Sequence, residues 1–83
     1  MATRKKSLSP AAESVARTLS EAIRSAVARG LLIDQPVKIG SIRGVVIGYN
    51  IARKGRYPGW RYPLLVKTEL GTAKFSLDEV SAA

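Results

Sequence analysis

Between Gly44 and Ile51 the chain alternates, with Val45, Ile47, Tyr49 and Ile51 on one phase and Val46, Gly48 and Asn50 on the other. Successive side chains of a β-strand point to opposite faces, so a two-residue period predicts a strand with Val45, Ile47 and Tyr49 turned into a core. The next apolar run, Tyr62 to Thr68, is rich in β-branched and aromatic residues and carries Pro63 near its start. It is too short for a helix and reads as a second strand, antiparallel to the first. The segment between them, Ala52-Arg53-Lys54-Gly55-Arg56-Tyr57-Pro58-Gly59-Trp60-Arg61, holds four cations and two aromatics. Its Gly and Pro residues predict a loop.

The N-terminal part follows a different period. Ser9-Pro10 is a helix start, because a serine oxygen can accept free amide hydrogens of the first turn and proline loses nothing at the first helical position. Ala12, Val15, Ala16, Leu19, Ala22, Ile23, Ala26 and Val27 then recur every three or four residues, a narrow apolar stripe, with Arg17, Glu21, Arg24 and Ser25 on the opposite face. Gly30 ends the pattern. A helix over 9–30 would be about 30 Å long, more than the width of a barrel built from the rest of the chain. The stripe through Val15, Leu19, Ile23 and Val27 therefore either covers the end of its own barrel or serves as an interface with another chain, including a second copy.

Asp34-Gln35-Pro36 turns the chain into a strand from Val37 to Ile42, with a bend at Arg43-Gly44 before the long alternating run. After the second central strand, Glu69-Leu70-Gly71-Thr72 predicts a hairpin, Ala73 to Ser76 a short strand and Ser76 to Glu79 one 3₁₀ turn, with Val80 opening a last short strand. The sum is a mainly β fold with one N-terminal α-helix. An SH3-like small five-stranded barrel over 34–83 is expected, since closure removes the exposed edges of a small sheet. Within that barrel Trp60 and Tyr62 are expected to close one end of the core.

Two stretches also carry a family resemblance. Tyr62-Pro63-Leu64-Leu65-Val66-Lys67, followed after a turn by Phe75-Ser76-Leu77-Asp78-Glu79-Val80, resembles the end of the SH3-like barrels of photosystem I reaction-centre subunit IV and of the variable chain of ferredoxin-thioredoxin reductase. Gly44-Val45-Val46 is similar to the Gly-x-Val opening of those barrels and of KOW-type nucleic-acid-binding modules. The resemblance spans residues 37–80 and implies the barrel. In the photosystem subunit the basic residue at this strand end helps to dock ferredoxin, and Lys67 is the matching residue. The N-terminal helix and the longer 53–61 loop depart from that family.

Composition narrows the function. The 83 residues make one small domain, and a chain of this size buries only about 60% of its unfolded surface, which leaves no room for a deep cleft. It has no cysteine and no histidine and only six carboxylates. Thiolate and imidazole chemistry is therefore excluded, neither a phosphate-cradling GxxxxGK[ST] nor a GxGxxG occurs, and no enzyme, metal or cofactor is expected. The adjacent pair Asp78-Glu79 is read as capping the 3₁₀ turn. No run approaches the length needed to cross a bilayer, and the N-terminus lacks a signal-peptide core. A cytoplasmic protein, or a component of an assembly such as a virion, is expected.

Fourteen Lys and Arg give a net charge of +8, which favours polyanions. Residues 1–8 form a basic arm with Arg4, Lys5 and Lys6. In the loop, Arg53, Lys54, Arg56 and Arg61 can meet phosphates, and Tyr57 can stack on a base. The expected partner is nucleic acid, DNA or RNA, contacted through the 53–61 loop and the arm. The rival is an acidic protein surface met by a structural or docking subunit, with Lys67 as a further contact.

Overall fold

The computed structural model describes the backbone of residues 10–83 and the side chains from Arg17 onward. Ser9 and the arm with Arg4, Lys5 and Lys6 lie outside the described residues, as does the side chain of Val15. The chain folds as α1 (Pro10–Ala28), β1 (Pro36–Ile39), β2 (Ile42–Tyr49), β3 (Leu64–Thr68), β4 (Gly71–Phe75), a 3₁₀ turn (Leu77–Glu79) and β5 (Ser81–Ala82). The strands form one antiparallel sheet in the order β4-β3-β2-β1-β5.

The mainly β class with one helix is as expected, but the sheet is open. β5 has two residues, which pair Val37 with Ala82 and Lys38 with Ser81, and it is not paired with β4. β4 is left as a free edge, and it is short and carries Lys74, two features that discourage edge-to-edge pairing.

Local chemistry sets the turns. The β1–β2 connection is the pair Gly40-Ser41, and Gly40 has φ +63°, the positive value that the first central residue of a type II′ hairpin turn requires. This moves the bend from the expected Arg43-Gly44 to the preceding glycine. At the end of α1 the Gly30 N–H donates to the Val27 carbonyl (2.9 Å) and the Leu31 N–H to the Ala26 carbonyl (3.0 Å). With Gly30 at φ +78° this is a Schellman motif, and Leu31 and Ala26, the residues it brings together, are both buried.

The core lies on the inner face of the sheet, where Val37, Val46, Leu64 and Val66 are fully buried. Ala26 and Leu31 from the helix end and Val80 from the last connection complete it, with Ile39, Tyr49, Phe75 and Leu77 packed around them. The alternation of β2 thus runs opposite to the expected phase. Val46 is inside, whereas Val45 (39% exposed) and Ile47 (44%) face outward and Ile51 (71%) lies beyond the strand.

A β-bulge accounts for the exception of Tyr49. Val46 pairs with Val66, but the next pair is Gly48 with Leu65, so Ile47 is an extra residue. One inserted residue exchanges the faces of everything after it, which returns Tyr49 to the inner side opposite Leu64. There its hydroxyl donates to the Leu31 carbonyl at 2.9 Å and ties the helix end to the sheet.

Helix α1 reaches the sheet core through Ala26 and the loop at Gly59 through the buried Leu19, with Ile23 half-buried, while Arg17, Glu21, Arg24 and Ser25 are exposed as the period predicts. Val27 departs from the expected stripe: it is exposed, because the chain leaves the helix at once through Gly30 and only Ala26 of that turn reaches the core. No described helix is long and apolar enough to cross a membrane.

Candidate nucleic-acid interface

The loop after β2 is held by one buried polar side chain. Asn50 is 5% exposed, and its Nδ2 donates to the carbonyls of Tyr57 (2.8 Å) and Tyr62 (3.0 Å) while its Oδ1 accepts the Ala52 N–H (3.0 Å). Its backbone N–H also donates to the Pro63 carbonyl at 2.8 Å, extending the β2–β3 ladder by one step. A buried amide with its donors and acceptor satisfied fixes the backbone it bonds. Here that backbone is both ends of the cationic loop.

Gly59 closes the loop onto the fold. Its N–H donates to the Ala52 carbonyl at 2.7 Å, and its Cα lies so close to Asn50 and Leu19 that an added Cβ would fall 1.9 Å from the Asn50 oxygen. Pro58 and Gly59 are therefore buried, and the cations around them are lifted into solvent: Arg53, Lys54, Arg56 and Arg61 are all exposed. Trp60 does not close a core. It is 44% exposed and borders the groove between α1 and the 3₁₀ turn. Tyr62 is half-buried and meets the Tyr57 ring edge-on at 5.2 Å between centroids, with the Arg61 guanidinium 5.8 Å above its own centroid.

A second group of cations, not assembled by the linear sequence, lies on the outer face of the sheet. Residues paired directly across an antiparallel ladder share a face, as do residues two apart on one strand. Lys38 pairs with Arg43, Val45 with Lys67, Lys67 with Thr72, and Leu65 with Lys74. Lys38, Arg43, Lys67 and Lys74 therefore stand together on the face opposite the core, interleaved with Val45, Leu65 and the bulged Ile47. Tyr57 of the loop reaches this face, where it borders an open cleft of about 450 Å³ with Leu65, Thr72, Ala73 and Lys74.

No ion pair among the described residues compensates these cations. The single salt bridge among the described residues is Arg29 to Asp78 at 3.9 Å, at the helix end on the other side of the molecule from the outer face, where Arg29 also donates to the Leu77 carbonyl. Lys38 and Arg43 sit directly opposite one another, an arrangement that costs stability while no counter-charge is present. Glu69, in the β3–β4 turn, makes no ion pair with any of them.

The carboxylates gather elsewhere. Glu21, Asp78 and Glu79 border a groove of about 770 Å³ between α1 and the 3₁₀ turn, together with Arg29, Trp60 and Arg61. Glu79 has the capping role expected for it, its Oε1 accepting the Ser76 N–H at 2.8 Å. Of the loop residues named from sequence, Arg61 thus belongs to this mixed-charge groove, whereas Tyr57 belongs to the basic face.

Neither a protein family, a curated protein nor a solved structure matches this chain.

Proposed function

We propose that this is a non-enzymatic basic module that grips the phosphate backbone of nucleic acid with its outer sheet face and its 53–61 loop. One observation carries the reading. Lys38, Arg43, Lys67 and Lys74 share a solvent-facing sheet surface with none of the described carboxylates paired to them, and the loop bearing Arg53, Lys54 and Arg56 joins that surface at Tyr57. A surface of one sign gains most from a polyanion that releases its counterions on docking. The basic arm with Arg4, Lys5 and Lys6 adds to the same charge.

We also read the sheet as an SH3-like barrel left unclosed between β4 and β5. The return of the chain to β1 through a 3₁₀ turn supports that reading. Affinity is then expected to fall steeply with salt for duplex and single-stranded nucleic acid alike, and Arg53→Ala, Lys54→Ala and Arg56→Ala together should make the slope shallower by roughly 2 to 3 units. Retention on immobilised nucleic acid over a salt series measures both. A response that is flat from low ionic strength upward would remove the proposal.

A second reading, a subunit of a larger assembly, is favoured by Val27, Leu32 and Ile33, large apolar side chains left exposed where α1 ends. It predicts a defined oligomer or complex by sedimentation that Val27→Asp dissolves. Leu19 is unsuited to that test because it is buried within its own chain.

A further inference from the structure

A surface built only to neutralise phosphates needs no apolar groups, yet the outer face alternates its cations with them. Val45 and Ile47 stand exposed on β2, Leu65 is half-buried on β3, and the Tyr57 ring is 48% exposed beside Leu65 and Lys74. A duplex presents its phosphates to a flat surface and keeps its bases stacked inside, so against this face it would satisfy the lysines and leave the apolar side chains wet. An unpaired strand differs: each of its bases has an apolar π-face that can lie on an aromatic ring or an aliphatic side chain while its phosphates meet neighbouring cations.

The cleft at the loop tip has the parts for one such base. Tyr57 lines it with an aromatic ring and Leu65 with an aliphatic side chain, while Lys74 adds a cation and Thr72 a hydroxyl. β4 is one of the two edges of the sheet, so alternate residues of it turn N–H and C=O groups away from β3, where the edge of a base can use them. The Tyr57 backbone is held by the Asn50 amide, and its ring is in T-shaped contact with Tyr62. A ring already held in place loses little freedom when a base stacks on it.

From this arrangement we propose that the outer face binds single-stranded nucleic acid, with one unpaired base seated against Tyr57 and Leu65 and the flanking phosphates on Lys74, Lys67, Arg43 and Lys38. The inference rests on the backbone-binding reading above and narrows it. Its chemistry is that of an unpaired base on a phosphate chain, which DNA and RNA share.

The test uses the full chain with short fluorescent oligothymidylate and oligouridylate, a duplex of the same length, and heparin as a polyanion without bases. Tighter binding of both single strands than of duplex and heparin at equal salt is expected, with a preference between the two strands reporting whether the 2′-hydroxyl is also used. Tyr57→Ala should weaken single-strand binding by about tenfold or more and leave heparin unchanged, while Tyr57→Phe, which keeps the ring, should stay within about twofold of the wild type. Amide chemical shifts of the unaltered protein on addition of oligothymidylate give a second readout that needs no variant, and they should move at Tyr57, Leu65, Thr72 and Lys74 and stay still in the groove at Arg29 and Asp78.

Equal binding of single strand, duplex and heparin, insensitive to Tyr57→Ala, would overturn the inference while the backbone-binding function stood. Absence of salt-sensitive binding to any of these polyanions would remove both.

Discussion

The two faces of the sheet are made from neighbouring residues of the same strands, and they have opposite fates. On the inner face Val46, Val66 and Leu64 are fully buried beneath the end of α1, whereas on the outer face Val45, Ile47 and Leu65, as apolar as their neighbours, share the surface with Lys38, Arg43, Lys67 and Lys74. Hydrophobicity therefore does not decide which side of β2 is the core. The decision belongs to what can be brought against each side: Ala26 and Leu31 are delivered to one by the Schellman turn at Gly30, and the other receives the half-exposed Tyr57 ring at its border and no helix.

That contrast is most sharply drawn by truncating each face in turn. Leu64→Ala on the inner face removes a fully buried side chain and should lower unfolding free energy by about 2–5 kcal/mol, read from a urea midpoint. The loop that joins the faces should respond next. Gly59→Ala forces a Cβ onto the Asn50 carbonyl, and Asn50→Ala leaves the Tyr57 and Tyr62 carbonyls without their donor; each should cost about 1–3 kcal/mol. Both should also release the amide protons of the loop to faster hydrogen exchange.

Tyr49→Phe deletes only the hydroxyl bonded to Leu31 and should cost about 0.5–1.5 kcal/mol. Smallest of all, Val45→Thr and Ile47→Thr on the outer face should shift stability by no more than about 0.5 kcal/mol in either direction. A loss at Val45 as large as that at Leu64 would mean that the outer face is a second core.

Much of the fold was legible in the sequence because local signals carried it. Pro10 and Gly30 mark the helix ends, Glu69-Leu70 the β3–β4 hairpin turn, and Ser76 with Glu79 the 3₁₀ turn, each by chemistry confined to a few neighbouring residues. The face of β2 was not legible. Its alternation offers Val45, Ile47 and Tyr49 on one phase, and a single bulge at Ile47 joins Val46 and Tyr49, residues of opposite phase, on the core side. Nothing in a period of two reveals an inserted residue whose partner lies on another strand.

The candidate site divides in the same way. Arg53, Lys54, Arg56 and Tyr57 were visible as one loop, and the structure leaves them exposed as expected. Lys38, Arg43 and Lys74 were passed over because each stands alone in sequence, and only the strand register gathers them beside Lys67. Asn50 was missed too. An asparagine directly after a strand and before a Gly- and Pro-rich loop is the signal that would have found it, since its side chain can bond backbone that the strand has just released. Closure of the barrel is not seen: β4 and β5 end the sheet as its two edges, a matter of long-range placement that no local signal in the sequence reports.

The most direct test of the outer face is the slope of log affinity against log salt for a single-stranded oligonucleotide, measured on the wild type and on a variant with Lys38, Arg43, Lys67 and Lys74 all changed to Gln. If these cations hold the phosphates, the variant stays folded, with a urea midpoint no lower than that of the wild type, and its slope becomes shallower by about 3 units. An unchanged slope in a folded variant would show that the phosphates lie elsewhere and would contradict the role assigned to this face.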